Sequence, residues 1–326
     1  MKKTIAIVAG GDSSEHDVSL RSAATVIAHI DRNIFDPYIV EIQGLEWKAV
    51  SNGDRFDVDR NDFSFTNAEG QKKQFCYAFI IIHGTPGENG LLEGYLRLMH
   101  IPFSTCDVLP SALTFNKYML NKLLKSFGIN VSESIRIRRG IDEIDPDRIV
   151  ETIGLPCFIK PTDGGSSFGT TKVSEKGQIA HALEEAFKEN PDIMIESFMK
   201  GLEVTNGYFK TKKGEVRLPV TEVVPKTEFF DYDAKYNGMV EEITPARIPN
   251  ELRDRIQSLT ARIYDILDCH GIIRNDYIIT ADGKINLLEV NTTPGMTATS
   301  FIPQQVRAAG LDLTQVLTDL IEDSFN

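Results

Sequence analysis

Arg274, Asp276, Glu289 and Asn291 flank an Asp282-Gly283 pair in the stretch RNDYIITADGKINLLEVNTTPG. Asp-Gly between two β-like runs is a strong hairpin signal. With Asp282-Gly283 as a two-residue turn, Ala281 faces Lys284, Ile278 faces Leu287, Asp276 faces Glu289 and Arg274 faces Asn291. Strand side chains alternate, so these residues share one face. Near the turn that face carries apolar Ile278, Ile285 and Leu287; its far end is polar. Two carboxylates directly opposite each other lie roughly 5 Å apart at Cβ and repel. A divalent cation between Asp276 and Glu289, with Asn291 beside them, would turn that repulsion into binding. Oxygen donors without His or Cys favour Mg²⁺ over softer metals, and Mg²⁺ completes its shell with water and substrate phosphates. A one-residue slip would scatter the set onto opposite faces. The alternative is a pair of solvated acids at an exposed strand end.

The stretch KPTDGGSSFG offers complementary chemistry. Gly164, Gly165 and Gly169 let backbone N–H groups approach an anion, Ser166 and Ser167 add hydroxyl donors, and Lys160 ends the preceding strand. The G-K-[ST] ending of a Walker A loop is absent, and a strand follows instead of a helix. Taken alone, this loop also reads as a flexible hairpin turn beside an unrelated lysine. With the acidic hairpin, however, it suggests a nucleoside triphosphate held with Mg²⁺. Glu15, in GGDSSEHDVS, follows a first strand at a place where a dinucleotide fold would carry G-x-G-x-x-G, and that fingerprint is missing. Glu15 could hold an amino group, or simply favour a helix N-terminus. His83, in HGTPGENG, fits a structural hydrogen-bonding role as well as a catalytic one.

The elements that must position these residues are legible in outline. TIAIVAG, FDPYIVEI and YAFIII read as strands, and VSLRSAATVIAHI and LLEGYLRLM as helices. Strand–helix alternation implies a parallel sheet covered by helices, with ligands beyond the carboxyl ends of its strands. The loops holding Glu15 and His83 are therefore candidate site loops. A helix is expected over 111–127, an acidic helix before PCFIKP, a long loop over PKTEFFDYDAKYNGMVEE, a helix over 251–269, and a closing helical pattern broken at Gly310.

The chain has 326 residues, enough for two or three domains. A composition of 41% hydrophobic and 25% charged residues excludes disordered and fibrous classes. A net charge of −12 argues against non-specific binding to nucleic acid or anionic membrane, so any anionic ligand needs a local cluster of lysine, arginine or metal. Cys76, Cys106, Cys157 and Cys269 are widely spaced, each in an apolar segment. They read as core thiols in a reducing cytoplasm, with neither a zinc site nor a disulfide framework. MKKTIAIVAGG has too short an apolar run for a signal peptide, and no stretch approaches the roughly 20 apolar residues of a membrane span.

In order along the chain, GGDSSEHDVSL, HGTPGENGLLEGYL, KPTDGGSSFGTTKV, FFDYDAKY, GIIRNDYI and LLEVNTTPGMTATS resemble the D-alanine–D-alanine ligase family of the ATP-grasp superfamily. The resemblance covers nearly the whole chain. It implies an ATP-grasp fold: a parallel α/β N-terminal domain (1–103), then central (104–198) and C-terminal (199–326) α+β parts that hold ATP between them. It implies that ATP phosphorylates one D-alanine carboxylate and that a second D-alanine attacks the acyl phosphate, for peptidoglycan synthesis. The roles it implies place Lys117 and Lys160 on the ATP phosphates, Ser166 and Ser167 over the γ-phosphate, and Lys235 on the phosphate in transfer. Glu196 and Glu203 would recognise adenine and ribose. Asp276, Glu289 and Asn291 would hold Mg²⁺ or Mn²⁺, two ions per site. Glu15 would bind the first ammonium in a network with Ser166 and Tyr236, and His83 would lie near the first carboxylate. Arg274 and the Gly295 N–H would stabilise the oxyanion. Ser300 would hold the second carboxylate. The Tyr236 loop would close over the site and exclude water. A homodimer is implied as well. The rivals are a ligase using D-lactate or D-serine as second substrate, and a nucleotide-binding protein without turnover.

Overall fold

The computed structural model describes residues 2–51, 53–164, 169–225 and 240–325. Three sheets follow one another along the chain. The first contains β1 (Lys3–Gly10), β2 (Phe35–Gln43), β3 (Glu46–Ser51), β4 (Asp54–Asp59), β5 (Ser64–Thr66), β6 (Lys72–Gln74) and β7 (Ala78–Ile80), in the order β6-β5-β4-β3-β2-β1-β7. The expected parallel core is β2-β1-β7. Residues 46–74, between the strands expected from the sequence, extend it with four short antiparallel strands. Helix α1 (His16–Ala28) follows β1, and α2 (Leu91–Leu98) follows β7.

The expected single helix over 111–127 is two helices, α3 (Val108–Phe115) and α4 (Lys117–Ser126). Asn116 breaks it. Its backbone is extended, and its side-chain oxygen accepts from the Met119 N–H at 3.0 Å, a favourable N-cap. The apolar spacing hid the break because both helices bury residues on the same side.

The second sheet, β10-β9-β11-β8, comprises β8 (Ser134–Arg138), β9 (Cys157–Pro161), β10 (Thr171–Val173) and β11 (Asp192–Ser197). It packs Ile137, Ile159 and Ile195 against Ile149 and Ile153 of α5 (Pro146–Ile153) and Leu183 and Phe187 of α6 (Ile179–Glu189). The third sheet holds β12 (Gly201–Thr211), β13 (Gly214–Arg217), β14 (Thr221–Pro225), β15 (Val240–Ile243), β16 (Ile273–Thr280) and β17 (Ile285–Asn291). Its path is β15-β14-β12-β16-β17, with β13 on β12. Helix α7 (Asn250–Ile266) covers it, and the chain ends in α8 (Phe301–Ala308) and α9 (Leu313–Asp323), separated at Gly310 as expected.

One hydrophobic cluster joins the two ends of the chain. Ile5, Ile7, Phe79 and Ile81 of the first sheet and its extension, with Ala23 and Val26 of α1, pack against Phe209 of β12, Ile302 and Val306 of α8, and Leu317 and Ile321 of α9. This burial fixes the loops after β1 and β7 against the third sheet. Burying each Ile, Val, Leu or Phe side chain there favours folding by about 1.5–3 kcal/mol.

Candidate active site

The hairpin carries its chemistry in the expected pairing, reached by a different route. Arg274 pairs with Asn291 and Asp276 with Glu289. Near the turn, however, Tyr277 pairs with Leu287 and Ile279 with Ile285, where the two-residue turn predicted Ile278 opposite Leu287. The Gly283 N–H bonds to the Thr280 carbonyl at 2.8 Å, and the Thr280 N–H to the Lys284 carbonyl at 3.1 Å. The turn is therefore one residue longer, with Gly283 at φ +76°. A register shift between Asp276 and Tyr277 takes up the extra residue and restores the pairing at the acids. Ile285 and Leu287 consequently pack with Tyr277 and Ile279 in the core under α7, instead of sharing the face of the acids.

Arg274 answers the repulsion between those acids. Its Nε and Nη2 donate to Asp276 Oδ1 and Oδ2 at 2.9 and 2.7 Å, and Nη2 reaches Glu289 Oε1 at 3.4 Å. Nη1 takes part in none of these contacts. Burial opposes the charge on Arg274, but the charge and hydrogen bonds of Asp276 outweigh it and raise the guanidinium pKa. Burial raises that of Asp276, against the pull of Arg274. The donor set Asp276, Glu289 and Asn291 is all oxygen and shares one strand pair, which suits a hard divalent cation. Among the described residues no group of three or more His, Cys, Asp or Glu has metal-binding geometry. The two acids and one amide would need ligand and water oxygens to complete a shell.

The break at Asn116 places Lys117 at the start of α4. Its backbone N–H bonds to the Thr162 carbonyl at 2.8 Å, and its ammonium reaches the Gly164 carbonyl. Burial lowers the Lys117 pKa, with Lys160 adding to that effect, while Glu289, Glu88 and Asp163 oppose it. Lys160 and Glu196, assigned by resemblance to opposite ends of the nucleotide, pair with each other across β9 and β11. The second oxygen of Glu196 accepts from Ser132 Oγ at 2.6 Å. Glu203 lies on β12, opposite Ile278 of β16.

Two loops of the first sheet meet this site. Ser13 Oγ donates to the His83 carbonyl at 2.7 Å, and Glu15 follows at the head of α1. Gly11 permits their close approach: a Cβ there would lie 2.5 Å from Ile82 Cγ2. His83 is buried. Glu88 is the residue whose importance the sequence reading missed. Its Oε2 accepts from the Gly84 N–H at 2.6 Å. Burial pushes its carboxyl up to about 7; the Gly84 N–H opposes this, and the negative charges of Glu15 and Glu289 add to it. Glu88 also acts electrostatically on Lys117 and Arg274, so it sits where both loops, the hairpin and α4 converge. An acid inside a glycine-rich strand-end loop was the available signal.

Gly295 and Ser300 are neighbours at the other end. A Cβ on Gly295 would lie 3.0 Å from Ser300 Oγ. Ser300 is the N-cap of α8, and its Oγ contacts the Thr297 N–H at 3.1 Å and Thr297 Oγ1 at 2.7 Å. Gln305 locks that helix to the sheet: its Oε1 accepts from the Gly207 N–H at 2.9 Å, and its Nε2 donates to the Thr205 carbonyl at 3.1 Å. Ser166, Ser167, Lys235 and Tyr236 lie outside the described residues.

The D-ala D-ala ligase N-terminus model matches residues 4–106, and the corresponding C-terminus model matches residues 123–322. The chain belongs to the D-alanine–D-alanine ligase family. D-alanine–D-alanine ligases of Phocaeicola vulgatus and Porphyromonas gingivalis W83 are similar to it, at 59% identity covering 100% of both chains and 53% identity covering 100% and 99%. Among solved structures, VanG D-Ala:D-Ser ligase from Enterococcus faecalis is 33% identical with a TM-score of 0.89, covering 99% of each chain. D-alanine–D-alanine ligase from Bacillus anthracis complexed with ATP is 28% identical with a TM-score of 0.80, covering 100% of this chain and 97% of that one. The ATP-grasp architecture of this ligase family accounts for the three successive sheets. Among the described residues, no helix of this ligase is long and apolar enough to cross a membrane.

Proposed function

We propose that this chain joins two D-alanines into D-alanyl-D-alanine, consuming ATP, for peptidoglycan precursor synthesis. The observation that carries the reading is the Arg274 guanidinium bridging Asp276 and Glu289, within electrostatic reach of Glu88, on a chain that matches the ligase family over nearly its whole length.

A carboxylate is a poor electrophile, so its oxygen first attacks the γ-phosphorus and ADP departs. The second D-alanine loses its ammonium proton to solvent, its amine attacks the acyl carbon, and phosphate leaves with the C–O bonding pair and takes the proton released from the new amide nitrogen. Glu15 holds the first ammonium and His83 lies by the first carboxylate. Lys117 and Lys160 take the phosphates, with Lys160 released from Glu196 as adenine engages that glutamate, while Glu203 takes the ribose. Asp276, Glu289 and Asn291 would hold Mg²⁺ or Mn²⁺, which neutralises phosphate charge when bound. Arg274 Nη1 and the Gly295 N–H serve the oxyanion, where preorganised donors contribute about 3–4 kcal/mol. Ser300 receives the second carboxylate. By family resemblance, Ser166 and Ser167 cover the γ-phosphate, and Lys235 and Tyr236 close the site.

The domain division at 103/104 and 198/199 is supported by the succession of sheets, since β11 ends at Ser197 and β12 begins at Gly201. Four free cysteines suit a cytoplasmic setting. A homodimer is supported by exposed Leu91, Leu98 and Leu109 on α2 and α3, which the Arg97–Asp107 ion pair holds together. Sedimentation of wild type against Leu98→Asp tests it.

The deciding experiment incubates the chain with ATP, Mg²⁺ and D-alanine and follows phosphate release and dipeptide mass. D-alanine-dependent phosphate release with D-alanyl-D-alanine is expected; ATP binding without product would overturn the reading. The similarity to a D-Ala:D-Ser ligase makes D-serine the second acceptor to test.

A further inference from the structure

One acid at the second-substrate end has no role in this scheme. Glu242 lies on β15 opposite Val223 of β14. Its Oε2 accepts from Gln304 Nε2 at 2.5 Å, and the same Nε2 lies 2.6 Å from the carbonyl of Thr299, the residue before Ser300. Arg274 acts on the Glu242 charge from the hairpin, and its guanidinium lies 5.5 Å from the ring of Phe301 in the first turn of α8. Glu242, Arg274 and the head of α8 thus enclose one end of the site. Glu242 keeps an exposed side, so a small ligand can reach it.

The second amino acid arrives as a zwitterion. If Ser300 receives its carboxylate, its ammonium needs an acid within the few ångströms that separate the two groups. The neighbouring acids are committed elsewhere. Asp276 and Glu289 face Arg274. Glu222 is held by Arg247 at 2.9 and 2.8 Å. Glu241 points to the opposite face of β15, where it acts on Arg247. Among the described residues, Glu242 has the neutral amide of Gln304 as its hydrogen-bond partner.

We propose that Glu242 docks the ammonium of the second amino acid, which gives up one proton to solvent at the exposed side of Glu242 before the amine attacks, and thereby makes this site prefer an amine to a hydroxyl as the attacking group. This inference rests on the ligase reading above. A carboxylate–ammonium hydrogen bond is roughly twice as strong as a neutral one, so a 2-hydroxy acid gains less from the same contact. Gln304 holds the carboxylate in place through the Thr299 carbonyl, coupling the ammonium position to the carboxylate position at Ser300.

The test compares wild type, Glu242→Gln and Ser300→Ala, with D-alanine alone and with D-alanine and D-lactate in equal amounts. Glu242→Gln keeps the side-chain shape and removes the charge. Expected for it are an increase of about tenfold in KM for the second D-alanine, an unchanged KM for ATP, and a product mixture shifted towards the D-lactate ester. Ser300→Ala is expected to weaken both acceptors alike. An unchanged second KM and product ratio in Glu242→Gln, with an active wild type, would overturn this inference alone. Equal rises in the ATP and second-substrate KM values would also overturn it, since they indicate a structural role. A wild type that makes no dipeptide would overturn it together with the ligase reading.

Discussion

Arg274 and Asp276 stand two positions apart on one strand, their side chains on the same face, and the guanidinium grips the carboxylate through two hydrogen bonds of 2.9 and 2.7 Å. Arg274 is buried and Asp276 nearly so, with side chains 9% and 14% exposed, so neither charge is well hydrated and each depends on the other. If Asp276 holds the metal as proposed, Asp276→Asn should lower turnover at least 100-fold by removing that charge. Glu289 still receives an Arg274 contact, so the stability loss should stay near 1–3 kcal/mol, less than for a wholly unpaired buried charge. Steady-state rates beside urea unfolding check both parts; a near-normal rate in a folded variant would refute the assignment.

The Lys160–Glu196 pair is buried deeper than a surface ion pair, with side chains 15% and 8% exposed. Lys160→Met leaves Glu196 with Ser132 alone and should cost about 2–4 kcal/mol. The double variant Lys160→Met/Glu196→Gln should recover at least half of that loss. Neither should regain wild-type ATP affinity. Denaturant unfolding with and without ATP separates the two effects, and full recovery of ATP binding in the double variant would count against a nucleotide role.

Glu93 on α2 is fully buried, and among the described residues no side chain hydrogen-bonds to its carboxyl oxygens; the backbone N–H groups of Glu93 and Gly90 are the donors nearest its charge. Burial pushes its carboxyl up to about 8. An unfolded glutamate titrates near 4.3, so between these values the folded state holds the extra proton. Stability contributed by this group therefore falls as pH rises through that window and levels off above it. The difference in unfolding free energy between wild type and Glu93→Gln should move against wild type by about 3 kcal/mol from pH 5 to pH 8. Denaturant melts at several pH values measure it, and a flat difference would show that the carboxyl ionises freely in place.

Gly295→Ala would bring a Cβ to 3.0 Å from Ser300 Oγ. Ser300 must then move, so KM for the second D-alanine should rise about tenfold while KM for ATP stays within twofold. Kinetics at saturating first substrate test this; an ATP effect of equal size would mean that the loop as a whole had shifted.

Much of this site was legible because its chemistry is written in short segments. The hairpin pairing of Asp276 with Glu289 and Arg274 with Asn291 followed from strand alternation, although the turn is one residue longer than its Asp-Gly signal suggested and a register shift compensates. The division of 108–126 into two helices was not legible, since apolar periodicity is unchanged across Asn116 and only the side-chain cap marks the break. Glu88 was passed over because its meaning depends on neighbours brought in from the first loop, the hairpin and α4.

By itself the sequence determined most of the strand and helix types, the acidic and basic partners available, and the family. These depend on side-chain chemistry and local spacing. Tertiary structure decided which charges face one another. Arg274 neutralises the hairpin acids, Lys160 meets Glu196, and Glu242 meets Gln304 at the head of α8. Such pairings are set by packing between segments far apart in the chain, the shared hydrophobic cluster of the first and last elements and the separate core of the second sheet, and burial of Arg274 and of the Lys160–Glu196 pair limits screening of their charges by water.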